Sequence, residues 1–167
     1  MRTLAVSLAA TVLLLSGESS LVAGLLPGNL WPNPTLERDA NRDNMPDFWH
    51  RGGSDTTTDV WSSVLSVSPT RSLQLNDGSA SAYGEWYSDR LDVTAGTDYQ
   101  LRYSLRRILP SSGLMRVPVN FFGAANNYLS GLSYSFAGTG DFWEETTQQF
   151  RTPVGAASLA LSFASGG

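Results

Sequence analysis

The chain lacks cysteine and lysine entirely, and it contains a single histidine, His50. Without cysteine, its 167 residues cannot be held by disulfides, so packing or a hard metal ion must stabilise the fold. The 11 basic residues, all arginine, stand against 15 Asp and Glu, for a net charge of -4. An acidic chain repels a phosphate backbone, which excludes nucleic acid as a partner.

Signatures of catalysis are missing as well. The sequence contains no Gly-x-Ser-x-Gly, no zinc-ligand spacing and no phosphate-binding glycine loop. Glu144 and Glu145 are adjacent, so a strand would point them to opposite faces, and Glu85 belongs to a separate strand. We therefore expect a protein that is not an enzyme. A hydrolase or lyase would need two carboxylates, or a Tyr and an Arg, in one cleft.

The longest apolar run, Leu4–Leu15, follows the basic Arg2 and is too short to span a bilayer comfortably. Small residues up to Gly24 then supply a signal-peptidase site. We interpret residues 1–24 as a signal peptide and residues 25–167 as one secreted or extracellular domain, with the cell surface also open. A buried N-terminal helix is the alternative, but the run has no polar face. No later segment reaches membrane length.

The rest of the chain is typical of an all-β protein. Turn-forming clusters recur about every ten residues between runs of alternating polar and apolar residues, which is the spacing of a β-sandwich. The clearest alternation lies in Asp98–Ile108. The predicted strands are Asn29–Trp31, Phe48–Gly52, Asp59–Val67, Arg71–Leu75, Ala82–Val93, Asp98–Ile108, Leu114–Phe122, Tyr128–Phe136, Phe142–Phe150 and Ala157–Phe163.

An acidic loop precedes the second of these strands, and its oxygen-bearing side chains recur at spacings of two residues. That spacing lets one tight loop surround a hard cation, so calcium is the expected guest. The candidate ligands are Glu37, Asp39, Asn41, Asp43 and Asp47. Asn44 stands where an EF-hand loop has glycine and tolerates the left-handed conformation. His50 replaces the bidentate Glu, which excludes an EF-hand proper. The alternative is a loop without metal, in which Asn, Asp and Pro form turns.

Six pieces of the sequence together resemble a known family. They are Asn33–Glu37, Asp39–Trp49, Pro69–Leu75, Tyr87–Tyr99, Trp143 and Thr152–Leu159. In this order they resemble the secreted carbohydrate-binding modules with a galactose-binding-domain-like jelly roll, of the family 4 and 9 type. The resemblance implies two antiparallel sheets, a structural calcium near the N-terminal strand, and sugar bound on a concave sheet face or at loop tips.

The sequence departs from that family at its end. Members usually close with a strand that packs beside the first strand, whereas this sequence stops at Ser165-Gly166-Gly167. Two interpretations follow. The sequence is a C-terminally incomplete piece of a longer precursor with further domains, or the jelly roll lacks its final strand and leaves an unpaired edge.

Sugar recognition needs aromatic rings for the apolar faces of pyranoses and polar side chains for their hydroxyls. We expect such groups to line one sheet face, with Trp86 or Trp61 at its rim. The candidate ligand-binding residues are Trp86, Arg102, Arg106, Asn120, Phe122 and Gln149. The expected function is a non-catalytic domain that binds an extracellular polysaccharide or other glycan. The alternative is a structural or surface-display β-sandwich module of a larger extracellular protein without sugar affinity.

Overall fold

A computed structural model describes residues 2–14, 29–54, 59–67, 70–77, 83–107, 114–136 and 141–166. Within these ranges the chain forms strands and turns but no helix. No described segment therefore forms a helix that could cross a membrane. The strands are β1 Arg2–Leu14, β2 Trp49–Gly53, β3 Val60–Ser62, β4 Ser72–Asp77, β5 Tyr83–Ser88, β6 Leu91–Asp92, β7 Asp98–Arg107, β8 Leu114–Gly123, β9 Tyr128–Phe136, β10 Trp143–Arg151 and β11 Ala156–Gly166.

The strands form two antiparallel sheets. The first sheet has the order β10-β7-β1-β4-β3, and the second has the order β2-β5-β11-β8-β9, with β6 paired to β11. Consecutive strands such as β4 and β5, or β7 and β8, belong to different sheets, so the chain crosses repeatedly between the two layers. The prediction of an all-β jelly-roll sandwich of two antiparallel sheets is confirmed.

The core lies between the two sheets and is rich in aromatic rings. Tyr103 of β7 packs edge-on against Phe163 of β11 with ring centroids 5.9 Å apart, which joins the first sheet to the second. Trp49 packs against Phe163 from within the second sheet, also at 5.9 Å. Leu101 and Leu105 are buried on the same side of β7 as Tyr103, as the alternation in this strand predicts.

Most predicted strands match observed strands closely, and Tyr128–Phe136 matches without any shift. Three predictions need correction. The predicted strand Ala82–Val93 is two strands, β5 and β6, which are separated by Asp89 and Arg90. The predicted strand Asn29–Trp31 is reduced to a single β-bridge residue, Asn29, whose side-chain Oδ1 accepts a hydrogen bond from the Trp31 amide at 3.0 Å. The predicted strand Asp59–Val67 is only three residues long, because the chain bends after Ser62.

The N-terminal apolar run is a strand in this structure rather than a helix. β1 lies between β4 and β7 and runs antiparallel to both, with Leu4 opposite Leu75 on one side and Arg107 on the other. Residues 15–28, which contain the predicted cleavage site, lie outside the described residues. The signal peptide stays a prediction, because pairing in the folded chain and removal during export are separate events.

Candidate functional site

The acidic loop holds its shape with its own side chains. Asp39 accepts backbone hydrogen bonds from Asp43 and Asn44, each at 3.2 Å, and Asp43 accepts one from Met45 at 2.9 Å. Asn44 adopts a positive φ of 64°, as its residue type allows. The carboxylates of the loop therefore bind backbone N–H groups, as turn-forming Asp residues do.

Two other predicted calcium ligands have partners of their own. Both carboxylate oxygens of Glu37 accept hydrogen bonds from Thr70, at 2.6 and 3.0 Å. Asp47 forms an ion pair with Arg38 at 2.8 Å and accepts the Ala40 amide at 2.9 Å. The oxygens are of the kind that calcium prefers. In the part of the chain that the structure describes, however, no three His, Cys, Asp or Glu side chains are grouped as a metal site.

The predicted sugar-binding residues do not share one face, which corrects the sequence analysis. Arg102 and Arg106 lie on β7 and Gln149 on β10, all on the outer face of the first sheet. Asn120 and Phe122 lie on β8, on the outer face of the second sheet. Because the connection from β7 to β8 crosses between the sheets, the two groups are on opposite sides of the sandwich.

Trp86 belongs to neither outer face. Its side chain is 0% exposed, and its indole Nε1 donates to the Gln74 carbonyl oxygen at 3.2 Å. The guanidinium of Arg51 lies over the ring, 5.2 Å from its centroid. A ring enclosed in this way has no free face to offer a ligand, so Trp86 is a core residue and its assignment as a sugar contact is corrected.

The arginines on the outer face of the first sheet are already paired. Arg102 contacts Glu145 at 2.5 Å, and Arg106 contacts Asp141 at 2.8 Å. A ligand that used either guanidinium would have to compete with a neighbouring carboxylate. The first sheet is therefore the weaker candidate for a binding face.

On the outer face of the second sheet, the side chains are smallest along the central strand. β11 lies between β5 and β8, and its outward positions carry only small side chains. These floor residues are Ser158, Ala160, Ser162 and Ala164. The neighbouring strands β5 and β8 carry larger side chains on the same face, and Ser158, Ser162 and Ala164 are only 3 to 9% exposed. We call this surface the trough.

One wall of the trough comes from β2 and β5. Tyr87 is 39% exposed, and the imidazole of His50 lies 5.3 Å from its ring centroid. His50 Nε2 is 2.6 Å from Asp89 Oδ1, which orients the imidazole. Farther along β5, the Tyr83 hydroxyl donates to Glu85 Oε2 at 2.6 Å. Burial, and then this hydrogen bond, raises the pKa of Tyr83 to about 12, so its phenol is neutral at physiological pH.

The opposite wall comes from β8 and β9. Tyr128 is 61% exposed and meets the ring of Phe122 edge-on at 6.1 Å. The guanidinium of Arg90 covers one face of Phe122 at 3.7 Å and is fixed by a 2.6 Å bond to Asn126. Tyr128 therefore has the more accessible ring of the two.

Gly131 keeps this second wall compact. A Cβ atom at this position would lie 2.8 Å from Asn120 Oδ1, closer than real Cβ contacts allow, and 3.0 Å from the Tyr128 hydroxyl, which is a tight contact. The absence of a side chain lets the amide and the phenol approach each other above the backbone.

The strand register places charges of opposite sign across the trough. Ala164 on β11 lies opposite Glu85 on β5 and opposite Arg116 on β8. Neighbouring strands are about 4.8 Å apart, so the backbones that carry the two charges are about 10 Å apart. A carboxylate acceptor and a guanidinium donor therefore flank the same residue of β11, Ala164, which is itself 9% exposed.

Comparison with known proteins reveals a shared fold. The chain is similar to the enzymatically active domain of tailspike protein 4 from bacteriophage CBA120, with a TM-score of 0.59 and 15% sequence identity. The match covers 72% of this chain but only 17% of the tailspike chain. No protein-family model matches the chain, and no curated protein matches it. At this identity the likeness supports the all-β architecture alone.

Sequence reasoning missed five residues of the trough. They are His50, Tyr83, Tyr87, Arg116 and Tyr128. A signal for two of them was present, because Tyr83, Glu85 and Tyr87 alternate along one predicted strand. The alternation does not show which face of this strand is buried, because both faces carry a large aromatic side chain. Tyr83 and Tyr87 lie on one face and Trp86 lies on the other. The carboxylates considered for catalysis lie on different sheets, with Glu85 on β5 and Glu144 and Glu145 on β10.

Proposed function

We propose that the protein is a secreted carbohydrate-binding domain of the galactose-binding-like jelly-roll type, and that the trough is its sugar site. The observation that supports this most is the floor of four small residues between two walls that carry exposed tyrosines. The C–H faces of a pyranose pack well against aromatic rings, and Tyr87 and Tyr128 are both exposed. A sheet face on which every outward side chain is large offers no place for a sugar ring between aromatic residues.

The polar groups of the trough suit the hydroxyls of a sugar. Glu85 accepts hydrogen bonds, Arg116 donates them, and the Asn120 amide does both. Among the described residues Arg116 forms no ion pair, so its donors are available to a ligand. A polar ligand gains affinity only when the hydrogen bonds it loses to water are replaced. Glu85 and Arg116 lie opposite the same residue, Ala164, and Asn120 lies opposite Ala160, four residues along β11.

We infer that the domain binds its glycan without cleaving it. A general base needs a pKa near the working pH, and the pKa of Tyr83 lies far above it. The second carboxylate of this wall, Asp89, is bonded to His50. The neighbouring fold is named for an enzymatically active domain, so catalysis is a testable alternative: incubation with each bound polysaccharide should release no new reducing ends or unsaturated products.

We also propose that the acidic loop binds calcium. The support for this is the chemistry of its carboxylate and amide oxygens, which are the ligands that calcium prefers. The described loop is closed by hydrogen bonds, so binding would require Asp39, Asn41 and Asp43 to turn their oxygens toward a common ion. We assign the ion a structural role, because the loop leads directly into the edge strand β2 of the second sheet.

Thermal unfolding with a panel of soluble polysaccharides tests the proposed function. A ligand that binds only the folded state raises the melting temperature by mass action. We expect at least one polysaccharide to do so in a concentration-dependent way. The absence of a shift across neutral and acidic polysaccharides would contradict sugar binding and favour a structural or surface-display module.

A further inference from the structure

The outermost strand of the second sheet, β9, presents an unprotected edge. Among the described residues it pairs only with β8, so the backbone N–H and C=O groups on its other side have no strand partner. All nine of its residues except Tyr134 and Phe136 are exposed. An edge of this kind is a template for another strand.

The other three sheet edges carry the features by which proteins prevent such pairing. β10 carries Glu144, Glu145 and Arg151, and β3 is only three residues long. β2 has five residues and ends at Gly53, whose φ of 96° turns the chain away from the extended conformation. Charge, shortness and irregular backbone each discourage edge-to-edge contact.

β9 is long and carries no charge, and its pairing with β8 is irregular only near its first residue, where the register shifts between Ser130 and Tyr128. Its sequence, Tyr-Leu-Ser-Gly-Leu-Ser-Tyr-Ser-Phe, contains no charged residue and no proline over nine residues. Leu129, Leu132 and Tyr128 are exposed on or beside it. An edge that is long, uncharged and partly apolar is retained at a cost in solubility unless a partner covers it.

We propose that β9 pairs antiparallel with β9 of a second copy of this chain. A two-fold axis brings one strand against itself, so every residue meets a residue of the same strand. With Leu132 near the axis, only Leu, Ser, Gly, Tyr and Phe residues face one another, and no like charges meet. A strand rich in charge of one sign could not pair with itself in this way.

The pairing has a geometric consequence for the trough. An axis perpendicular to the sheet keeps both outer faces on the same side and joins the two second sheets into one continuous sheet. If the proposed sugar site holds, the dimer presents two troughs to one polysaccharide chain, which raises apparent affinity through effective concentration. The dimer itself does not depend on sugar binding.

Analytical ultracentrifugation of the full chain over a concentration series tests the proposal without any sugar. We expect a reversible dimer for the wild type and a monomer for Leu132→Lys, because a charge on an edge strand opposes pairing with its own copy. Ser133→Lys is a second test variant, which should also be a monomer. Because Ser133 is exposed and outside the core, its replacement should not disturb folding even if Leu132→Lys does. Thr147→Lys, on the charged edge β10, is the matched control and should remain a dimer. A monomeric wild type, or dimeric lysine variants of β9, would overturn the proposal.

Cysteine cross-linking provides a second readout, because the natural chain has no cysteine. Antiparallel partners have Cα atoms about 4.5 to 5.5 Å apart, which is within the range that a disulfide spans. Single substitutions Ser130→Cys, Leu132→Cys and Ser133→Cys should include at least one that forms a covalent dimer under oxidising conditions. Thr147→Cys should form none. Cross-linking of Thr147→Cys to the same extent, or of no β9 variant at all, would contradict a dimer through β9.

Discussion

The Tyr83 hydroxyl donates a hydrogen bond of 2.6 Å to Glu85 two residues along the same face of β5. The bond ties the two side chains of this wall together. Burial, and then the bond to Glu85, raises the pKa of Tyr83 from 10.0 to about 12. The phenol is thus a permanent donor at neutral pH.

This shift predicts an alkaline loss of stability. The unfolded chain releases the Tyr83 proton near pH 10, whereas the folded chain keeps it until about pH 12. The contribution of this group is therefore complete below pH 10 and is lost as the pH rises through this window. Tyr83→Phe should show a shallower fall in melting temperature there. In the ultraviolet phenolate titration, Glu85→Gln should lower the pKa of Tyr83 only in part, because burial is the larger cause. An unchanged titration curve in Tyr83→Phe would contradict the assignment.

The acidic loop gives a prediction that separates calcium from turn formation. Asp43→Ala removes the bond to the Met45 amide and the contact with Asn41, which should cost about 1 to 2 kcal/mol. If calcium binds, the wild type is stabilised by calcium and the variant is not. Equal losses with calcium and with chelator would leave only the turn-forming role. The readout is the melting temperature in both conditions.

Alternation along single strands predicted much of this fold. In β7 it separated buried Tyr103 and Leu105 from outward Arg102 and Arg106, because side-chain direction in a strand is a local property. Local patterns cannot assign a strand to one sheet or the other, since that depends on pairing between distant segments. For this reason the outward residues of β7 and of β8 were expected on one face and lie on two.

Two further outcomes show the same limit. The run Tyr-Gly-Glu-Trp-Tyr-Ser of β5 allows either face to be the buried one, and only packing against the core decides that Trp86 lies inside. The trough itself depends on β11 lying between β5 and β8, which no local pattern encodes. The small residues of β11 define a separate surface only because larger side chains lie on the strands beside them.

The glycine of the second wall provides a test by addition of a single methyl group. Gly131→Ala places a Cβ atom within 3.0 Å of Asn120 and Tyr128, so both side chains must move. We expect affinity for the bound polysaccharide to fall several-fold while the melting temperature changes little, because β9 is an exposed edge strand. Ser133→Ala, on the same face of the same strand, is the control. Equal affinities for the two variants would show that the wall is not a contact surface.

The assignment of residues 1–24 as a signal peptide predicts the mass of the exported protein. If residues 1–24 are a signal peptide, protein collected outside the cell lacks them. Intact-mass spectrometry should then show a chain that begins near Leu25. Retention of Arg2–Leu14 would contradict the signal peptide and make β1 a permanent strand, which holds β4 and β7 together in the first sheet.

The central claim is that a glycan lies in the trough between its two tyrosine walls. The most direct measurement is the affinity of Tyr87→Ala and Tyr128→Ala for a polysaccharide that the wild type binds. Phe142→Ala is the matched control, because Phe142 is an aromatic residue that is 55% exposed but precedes β10 of the first sheet. We expect each tyrosine variant to lose about 1 to 2 kcal/mol of binding free energy and the control to lose none. Wild-type affinity in both tyrosine variants, or an equal loss in Phe142→Ala, would contradict the account.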